Sequence, residues 1–379
     1  MPDDRSYDLA IVGGGLAGLA LSIQVANAGF KVILFEKEKY PFHRVCGEYI
    51  SLESEDFLQH LGVDLQKMNA SKITELFISA NNGSSIQQHL LLGGFGISRY
   101  KLDNTLAQLA INAGVYLMEN TRVEEIRFTN DSFNITSNHA TYNAKITVAT
   151  FGKRSNLDIK WNRDFVKAKK NKHNNYVGIK YHVRGRFPVD TIELHNFKNG
   201  YCGLVKVEDN QYCLCYLTVA SNLQKSNNDI REMERVILSG NPFLKKILAE
   251  CEKLRDGPVI ISQINFDKKS LVHDHILFIG DAAGMITPLC GNGMSMALHA
   301  SKLAAGQVVQ FLSGKISRDE MENNYSRAWN KEFAGRLRTG RILQRMLDNT
   351  RLTSFIIKLG KYFPGIMKRL VRSTHGRSF

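Results

Sequence analysis

YDLAIVGGGLAGLALSIQVANAGFKVILFE, residues Tyr7 to Glu36, decides how the amino-terminal part of this chain folds. Tyr7 to Val12 is an apolar run of strand length, Leu16 to Ala28 has helix length, and Lys31 to Phe35 is a second strand. Together they read as a β-α-β unit. Gly13, Gly15 and Gly18 stand between the first strand and its helix in the pattern GxGxxG. The first glycine permits a tight turn, the second lets a pyrophosphate approach the backbone, and the third lets helix and strand pack closely. Phosphate charge then sits at the positive end of the helix. Glu36 ends the second strand where a carboxylate accepts hydrogen bonds from ribose hydroxyls, which favours an unphosphorylated ribose. Ala17 and Lys37 lie beside these positions and join the candidate cofactor-binding set. A glycine turn plus a surface glutamate is the bland alternative, but spacing, strand and acid agree against it. The glycines and Lys31 also break the apolar run and argue against a membrane span.

A second glycine-rich run, GDAAGMITPLCGNGM, lies far downstream at Gly280 to Met294. A strand-end turn with a helix cap does not explain four glycines, a proline and an aspartate packed in this way. The run is similar to the second FAD motif of the para-hydroxybenzoate hydroxylase superfamily, the group that also holds geranylgeranyl reductases and flavin-dependent halogenases. That resemblance implies one FAD. It puts Gly280 and Asp281 at the ribityl chain, and Pro288, Gly291, Asn292, Gly293 and Met294 beside the flavin ring. Glycine amides opening a helix at Met294 would stabilise negative charge on the reduced ring. Arg44-Val45-Cys46-Gly47-Glu48, after Tyr40, Pro41 and Phe42, resembles a stretch of the reductase-like and halogenase-like members. By that resemblance Arg44, Cys46 and Gly47 lie at the cofactor, and Cys46 faces the ring region as the candidate catalytic residue. Arg99 and Asp103 match the family's R...D pattern near the flavin, and Val123 gives backbone contacts to adenine. Taken alone, Arg44 and Arg99 read as solvated charges and Cys46 as a buried structural thiol.

The fold class this implies is α/β: a Rossmann-like FAD-binding domain with a three-layer ββα arrangement, a β-sheet substrate domain and C-terminal helices. Residues 1–155 and 256–312 are assigned to the FAD-binding domain, 156–255 to the substrate domain and 313–379 to the helical region. The chain has one GxGxxG and no CxxxxC after it, unlike disulfide reductases with two dinucleotide domains. Electrons then come from NADH or NADPH docking briefly at the flavin, or from a separate reductase or ferredoxin. Phe151 stands where the hydroxylases carry the aspartate of a DG pair before Gly152. Trp161 and Trp329 are too far apart for the WxWxIP segment of halogenases, and Gly200 to Leu204 lacks the tryptophan and proline of the GYxWxFP-like segment of geranylgeranyl reductases.

The expected function is an FAD-dependent oxidoreductase acting on a hydrophobic aromatic, polyketide or lipid-like intermediate. Monooxygenation stands ahead of carbon-carbon double-bond reduction, because the cofactor supplies the oxidant and no protein nucleophile is required. A non-catalytic FAD-binding redox protein is the remaining alternative. Tyr176, Tyr181, Phe187, Phe197, Tyr201, Tyr212 and Tyr216 read as pocket lining or, more commonly, strand core. His182 and His195 could act as acid or base near neutral pH, although isolated histidines more often play structural or solvated roles.

The 379 residues carry a net charge of +14, concentrated in Lys153 to Arg186 and Arg336 to Arg377, which implies acidic partners. Without a nucleic-acid-binding signature, an acidic carrier protein or a peripheral membrane contact fits better. Six scattered cysteines form no metal site or disulfide framework. Asp3, Asp4 and Arg5 do not resemble the start of a secretory signal, so the expected location is cytoplasmic, with membrane contact left open. From Arg336 onward, apolar and basic residues alternate as in an interfacial amphipathic helix or an ordinary helix with a basic outer face.

Overall fold

In the computed structural model, residues 5–167, 175–264, 266–287, 291–347, 350–362, 365 and 376–379 are described. Up to Ala149 the strands are β1 (Ser6–Val12), β2 (Val32–Phe35), β3 (Tyr49–Ser51), β4 (Ser71–Ser79), β5 (Ser85–Gly96), β6 (Tyr116–Met118), β7 (Val123–Thr129), β8 (Ser132–Ser137) and β9 (Thr141–Ala149). Beyond it lie β10 (Tyr176–Arg184), β11 (Thr191–Phe197), β12 (Gly200–Lys206), β13 (Tyr212–Val219), β14 (Glu252–Lys253), β15 (Val259–Ile264), β16 (Val272–His273) and β17 (Ile276–Phe278). The earlier helices are α1 (Leu16–Asn27), α2 (Glu55–His60), α3 (Arg99–Asn112), α4 (Asn156–Lys160) and α5 (Asp164–Lys167). Then come α6 (Ala220–Lys225), α7 (Ile230–Val236), α8 (Pro242–Glu250), α9 (Gly293–Leu312), α10 (Arg318–Leu347) and α11 (Thr350–Tyr362).

The first sheet runs β16-β17-β9-β1-β2-β6, with the β7–β8 hairpin attached to β9. Strands β17, β9, β1, β2 and β6 are parallel. These central strands are buried on both faces, so Leu9 to Val12 and Val32 to Phe35 are continuous apolar runs without polar alternation. Helix α1 is built largely from Ala, Gly and Leu, so α9 and α3 pack closely against it.

The second sheet has the order β14-β10-β13-β12-β11-β4-β5-β3, with β15 also on β10. Here β3, β4 and β5 lie within residues 1–155, yet they pair with the sheet of the expected substrate region, β4 running parallel to β11. That pairing joins segments more than a hundred residues apart and leaves no local sequence signal. Alternation along β10 and β13 divides the sheet's faces. Val177, Ile179, Tyr181, Val183, Tyr212, Leu214 and Tyr216 pack under α7 and α8 with Met233, Leu244 and Ile247. Tyr176 and Leu217 point the other way and meet Tyr201, Phe266 and Met285. Four aromatics read as pocket or core, Tyr181, Phe197, Tyr212 and Tyr216, are therefore core of the helix side, while Tyr176 and Tyr201 face the second glycine-rich run. Among the described residues no helix is long and apolar enough to cross a membrane.

Candidate functional site

The glycine loop joins β1 to α1. Gly13 takes φ +111°, and a Cβ there would run into the backbone of Phe151 at 2.6 Å. At Gly15 an added Cβ would meet nothing nearer than an Arg99 Nη at 3.8 Å, so this side of the loop is an open cradle. Gly18 packs against the Gly13 carbonyl, which also accepts a hydrogen bond from Thr150 Oγ1 at 2.5 Å. Ala17, buried in the first turn of α1, lies 3.3 Å from the place of a Cβ on Gly280, at φ +64°. The two motifs, far apart in sequence, thus meet.

Cations and acids converge on this loop. Arg44 donates to Asp103 Oδ2 at 3.1 Å, to Glu36 Oε2 at 2.9 Å and to the Gly14 carbonyl at 3.2 Å. Arg99 holds the same Asp103 through two hydrogen bonds, at 2.6 and 2.8 Å. Burial opposes the charge on Arg99, but Asp103 and the neighbouring Cys46 outweigh it and hold the guanidinium firmly protonated. Glu36 Oε2 also accepts from the Gly14 N–H at 2.9 Å. The Tyr40 hydroxyl caps the Gly14 carbonyl, a partner the sequence reading did not assign.

Asp281 follows Gly280 at the start of the second run. Burial pushes its carboxyl up, against the pull of Lys269, Arg99 and Lys153. Lys269 is buried and donates to the carbonyls of Lys153 at 2.6 Å and Asp281 at 2.7 Å. Burial lowers both lysines to about 8. Gly291 takes φ +62° against the Tyr49 ring, Asn292 is buried at the N-cap of α9, and Gly293 and Met294 open that helix. Pro288 lies outside the described residues. An open cradle at Gly15 backed by Arg99 and a helix start facing Asp281 fit a dinucleotide with a phosphate bridge.

A family model described as an FAD binding domain matches residues 8–43. Conditioned medium factor receptor 1 of Dictyostelium discoideum is 25% identical over 87% of this chain and 69% of its own. Digeranylgeranylglycerophospholipid reductase of Methanococcus vannielii is 23% identical over 91% of this chain and 89% of its own. A solved flavin-dependent brominase superposes with a TM-score of 0.79 at 16% identity, covering 97% of this chain and 93% of that one. The chain is an FAD-dependent flavoenzyme, and it shares its fold with the brominase.

In this flavoenzyme the sequence-assigned residues are not all drawn together. The Lys37 side chain lies at the surface, 3.7 Å from Glu38, so only its backbone is placed near the cofactor loop. Gly47 has open space around its Cα. Val123 begins β7 and is buried, and the neighbouring Thr121 N–H donates to the Glu36 carbonyl at 2.8 Å.

The sequence reading missed a buried ionic cluster behind Cys46. Glu48 is 0% exposed, takes φ 57°, and pairs through Oε1 with Lys180 Nζ, itself 1% exposed. Oε1 also accepts from the Arg99 N–H at 2.8 Å, and Oε2 lies 2.6 Å from His182 Nε2. Lys180 donates onward to the Arg44 carbonyl at 3.1 Å, and Cys213 Sγ to the Cys46 carbonyl at 3.2 Å. Donor atoms of Glu48, His182 and Cys213 lie within 4.8 Å of one another, but Lys180 already supplies the cation there. Of the roles left open for His182, the structural one fits: its contact with Glu48 ties the segment carrying Cys46 to β10. A lysine between the apolar Ile179 and Tyr181 in the middle of β10 was the available signal, since such a charge needs a buried partner. Burial raises the Cys46 thiol, while Arg99 and the Glu48 N–H favour its thiolate.

Proposed function

We propose that this flavoenzyme acts on a hydrophobic, lipid-like substrate and reduces a carbon-carbon double bond. Gly13, Gly15, Gly18, Glu36, Arg44, Arg99 and Asp281 would hold FAD, with the backbones of Gly291, Gly293 and Met294 at its ring. When bound, FAD supplies or accepts a hydride equivalent. Cys46 carries the choice of reaction: its surroundings push its thiol up, and after giving up the Sγ proton its thiolate would meet the Arg99 guanidinium and the Glu48 N–H. A double bond that receives hydride at one carbon needs such a proton at the other.

The substrate side supports the same reading. Tyr176, Tyr201, Leu217 and Phe266 form an apolar surface reaching Met285. Behind the second glycine-rich run a cavity of about 680 Å³ has Leu271, Met285, Trp329 and Leu337 in its wall and Lys268, Arg338 and Arg341 beside them. That combination fits a long apolar chain ending in an acidic group. The near-full-length likeness to an archaeal lipid reductase points the same way.

Monooxygenation, first in the sequence reading, is the second reading. It needs no protein acid, and the likeness of fold to a flavin-dependent brominase is compatible with it. FAD-loaded, chemically reduced protein should be mixed anaerobically with an unsaturated prenyl lipid. A product heavier by two hydrogens, formed much more slowly by Cys46→Ala, is expected. Oxygen uptake tied to substrate, an oxygenated product and an indifferent Cys46→Ala would move the assignment to monooxygenation. NADH or NADPH, a separate reductase, or a ferredoxin is the electron source in either case, and the same assay with each donor selects among them.

A further inference from the structure

Among the described residues, one apolar and basic surface stands exposed. Where β4 pairs with β5, the register passes from Ile73 opposite Gly94 to Glu75 opposite His89, so residues 90–93 bulge against a single Thr74. Leu90 turns inward, whereas Leu91 stands 70% exposed and Leu92 is exposed beside it. Helix α11 packs against this same strand, against β11 and against α10. Its inner face carries Thr353, Ile357 and Gly360; its outer face carries Phe355, Lys358 and Tyr362 at helical spacing, with Lys361 next to them. Phe355 is 60% and Tyr362 81% exposed, and Ile342 near the end of α10 is also exposed.

An outer stripe of aromatic and lysine side chains is the reverse of what water favours. From Ala334 to the end of the chain, eleven Arg and Lys residues accompany a single acid, Asp348. We infer that the α11 face and the Leu91–Leu92 bulge dock on an anionic lipid bilayer. Phe355, Tyr362, Leu91 and Leu92 enter the boundary between headgroups and acyl chains, while Lys358 and Lys361 meet the phosphates. Charge complementarity selects this occupant, and isolated apolar side chains separated by lysines suit a fluid interface better than the packed centre of a protein contact. Arg338 and Arg341, beside the cavity described above, precede the exposed Ile342 on the same helix, so docking would bring the cavity toward the bilayer. This last step rests on the lipid-like substrate reading; the docking itself does not.

Flotation of the FAD-loaded protein with vesicles tests it, comparing phosphatidylcholine alone with phosphatidylcholine mixed with phosphatidylglycerol. The protein should float with the mixed vesicles and lose that binding as salt rises. Lys358→Ala and Lys361→Ala should each lower partitioning about fivefold. The pairs Leu91→Ser with Leu92→Ser, and Phe355→Ser with Tyr362→Ser, should lower it further with flavin content unchanged. Protein that stays unbound with both vesicles, or floats equally well in every variant, overturns the inference. So does a dimer, or a complex with an acidic protein, that the same substitutions dissolve without any vesicle binding. Flotation without lipid turnover keeps the docking surface and rejects the substrate reading alone.

Discussion

Gly13 and Gly15 differ in what a methyl group would do. Gly13→Ala combines a left-handed φ with a clash against the Phe151 backbone, so it should lower folding stability by about 1–3 kcal/mol or more, visible in the melting temperature. Gly15→Ala meets no close neighbour and should melt like the parent, yet bind FAD about tenfold or more weakly because the methyl fills the phosphate cradle. Glu48 makes the complementary case. Burial would raise its carboxyl, but Lys180 and His182 outweigh burial and hold it down to about 2. Its folded value thus lies below that of the unfolded chain, about 4.3. The resulting stability is present above that pH and is lost as pH falls toward about 2. Glu48→Gln leaves Lys180 buried without its counter-charge and should cost about 3–5 kcal/mol near neutral pH. Chemical denaturation of the two proteins should give curves that converge in acid; a constant gap would show that the ion pair is not what holds the segment.

At the scale of elements, Arg163 ties α4 and α5 to the second motif. It pairs with Asp158 at 2.7 Å, lies over the Phe278 ring at 3.6 Å, and donates to the Ser270 carbonyl at 2.8 Å and to the Ala282 carbonyl at 3.3 Å. Arg163→Met strands a buried aspartate and should destabilise by about 3–5 kcal/mol while speeding FAD loss, measurable as cofactor release on dilution. An unchanged release rate would mean that the Asp281 turn does not depend on this strut. The long C-terminal helices are legible from sequence: apolar periodicity alone predicts helices over Met294 to Leu312 and Arg318 to Leu347, and they form over Gly293–Leu312 and Arg318–Leu347. The α3 start was less so. The sequence suggests a helix over Leu102 to Ala113 opened by the polar Asp103 and Asn104, but Ser98 is the N-cap, its side chain accepting from the Lys101 N–H. Asp103 instead sits inside the helix because Arg44 and Arg99 hold its carboxylate.

Across the whole molecule, the cofactor half could be read because its signals are local: a glycine loop between adjacent strand and helix, and a second run within fifteen residues. The substrate half could not, because its sheet is assembled from strands far apart, with β4 beside β11 and β3 at the far edge. The same distance hid the Glu48–Lys180–His182 cluster, in which Glu48 lies more than a hundred residues from the other two. Everything proposed about reaction and substrate depends on FAD occupying the junction of the two motifs. The most direct test is titration of the purified, folded chain with FAD, followed by equilibrium dialysis and the visible spectrum. One FAD per chain, with flavin bands altered from those of the free cofactor and retention weakened by Gly15→Ala, is the expected result. A well-folded chain that takes up no FAD even at saturating concentration would contradict the assignment.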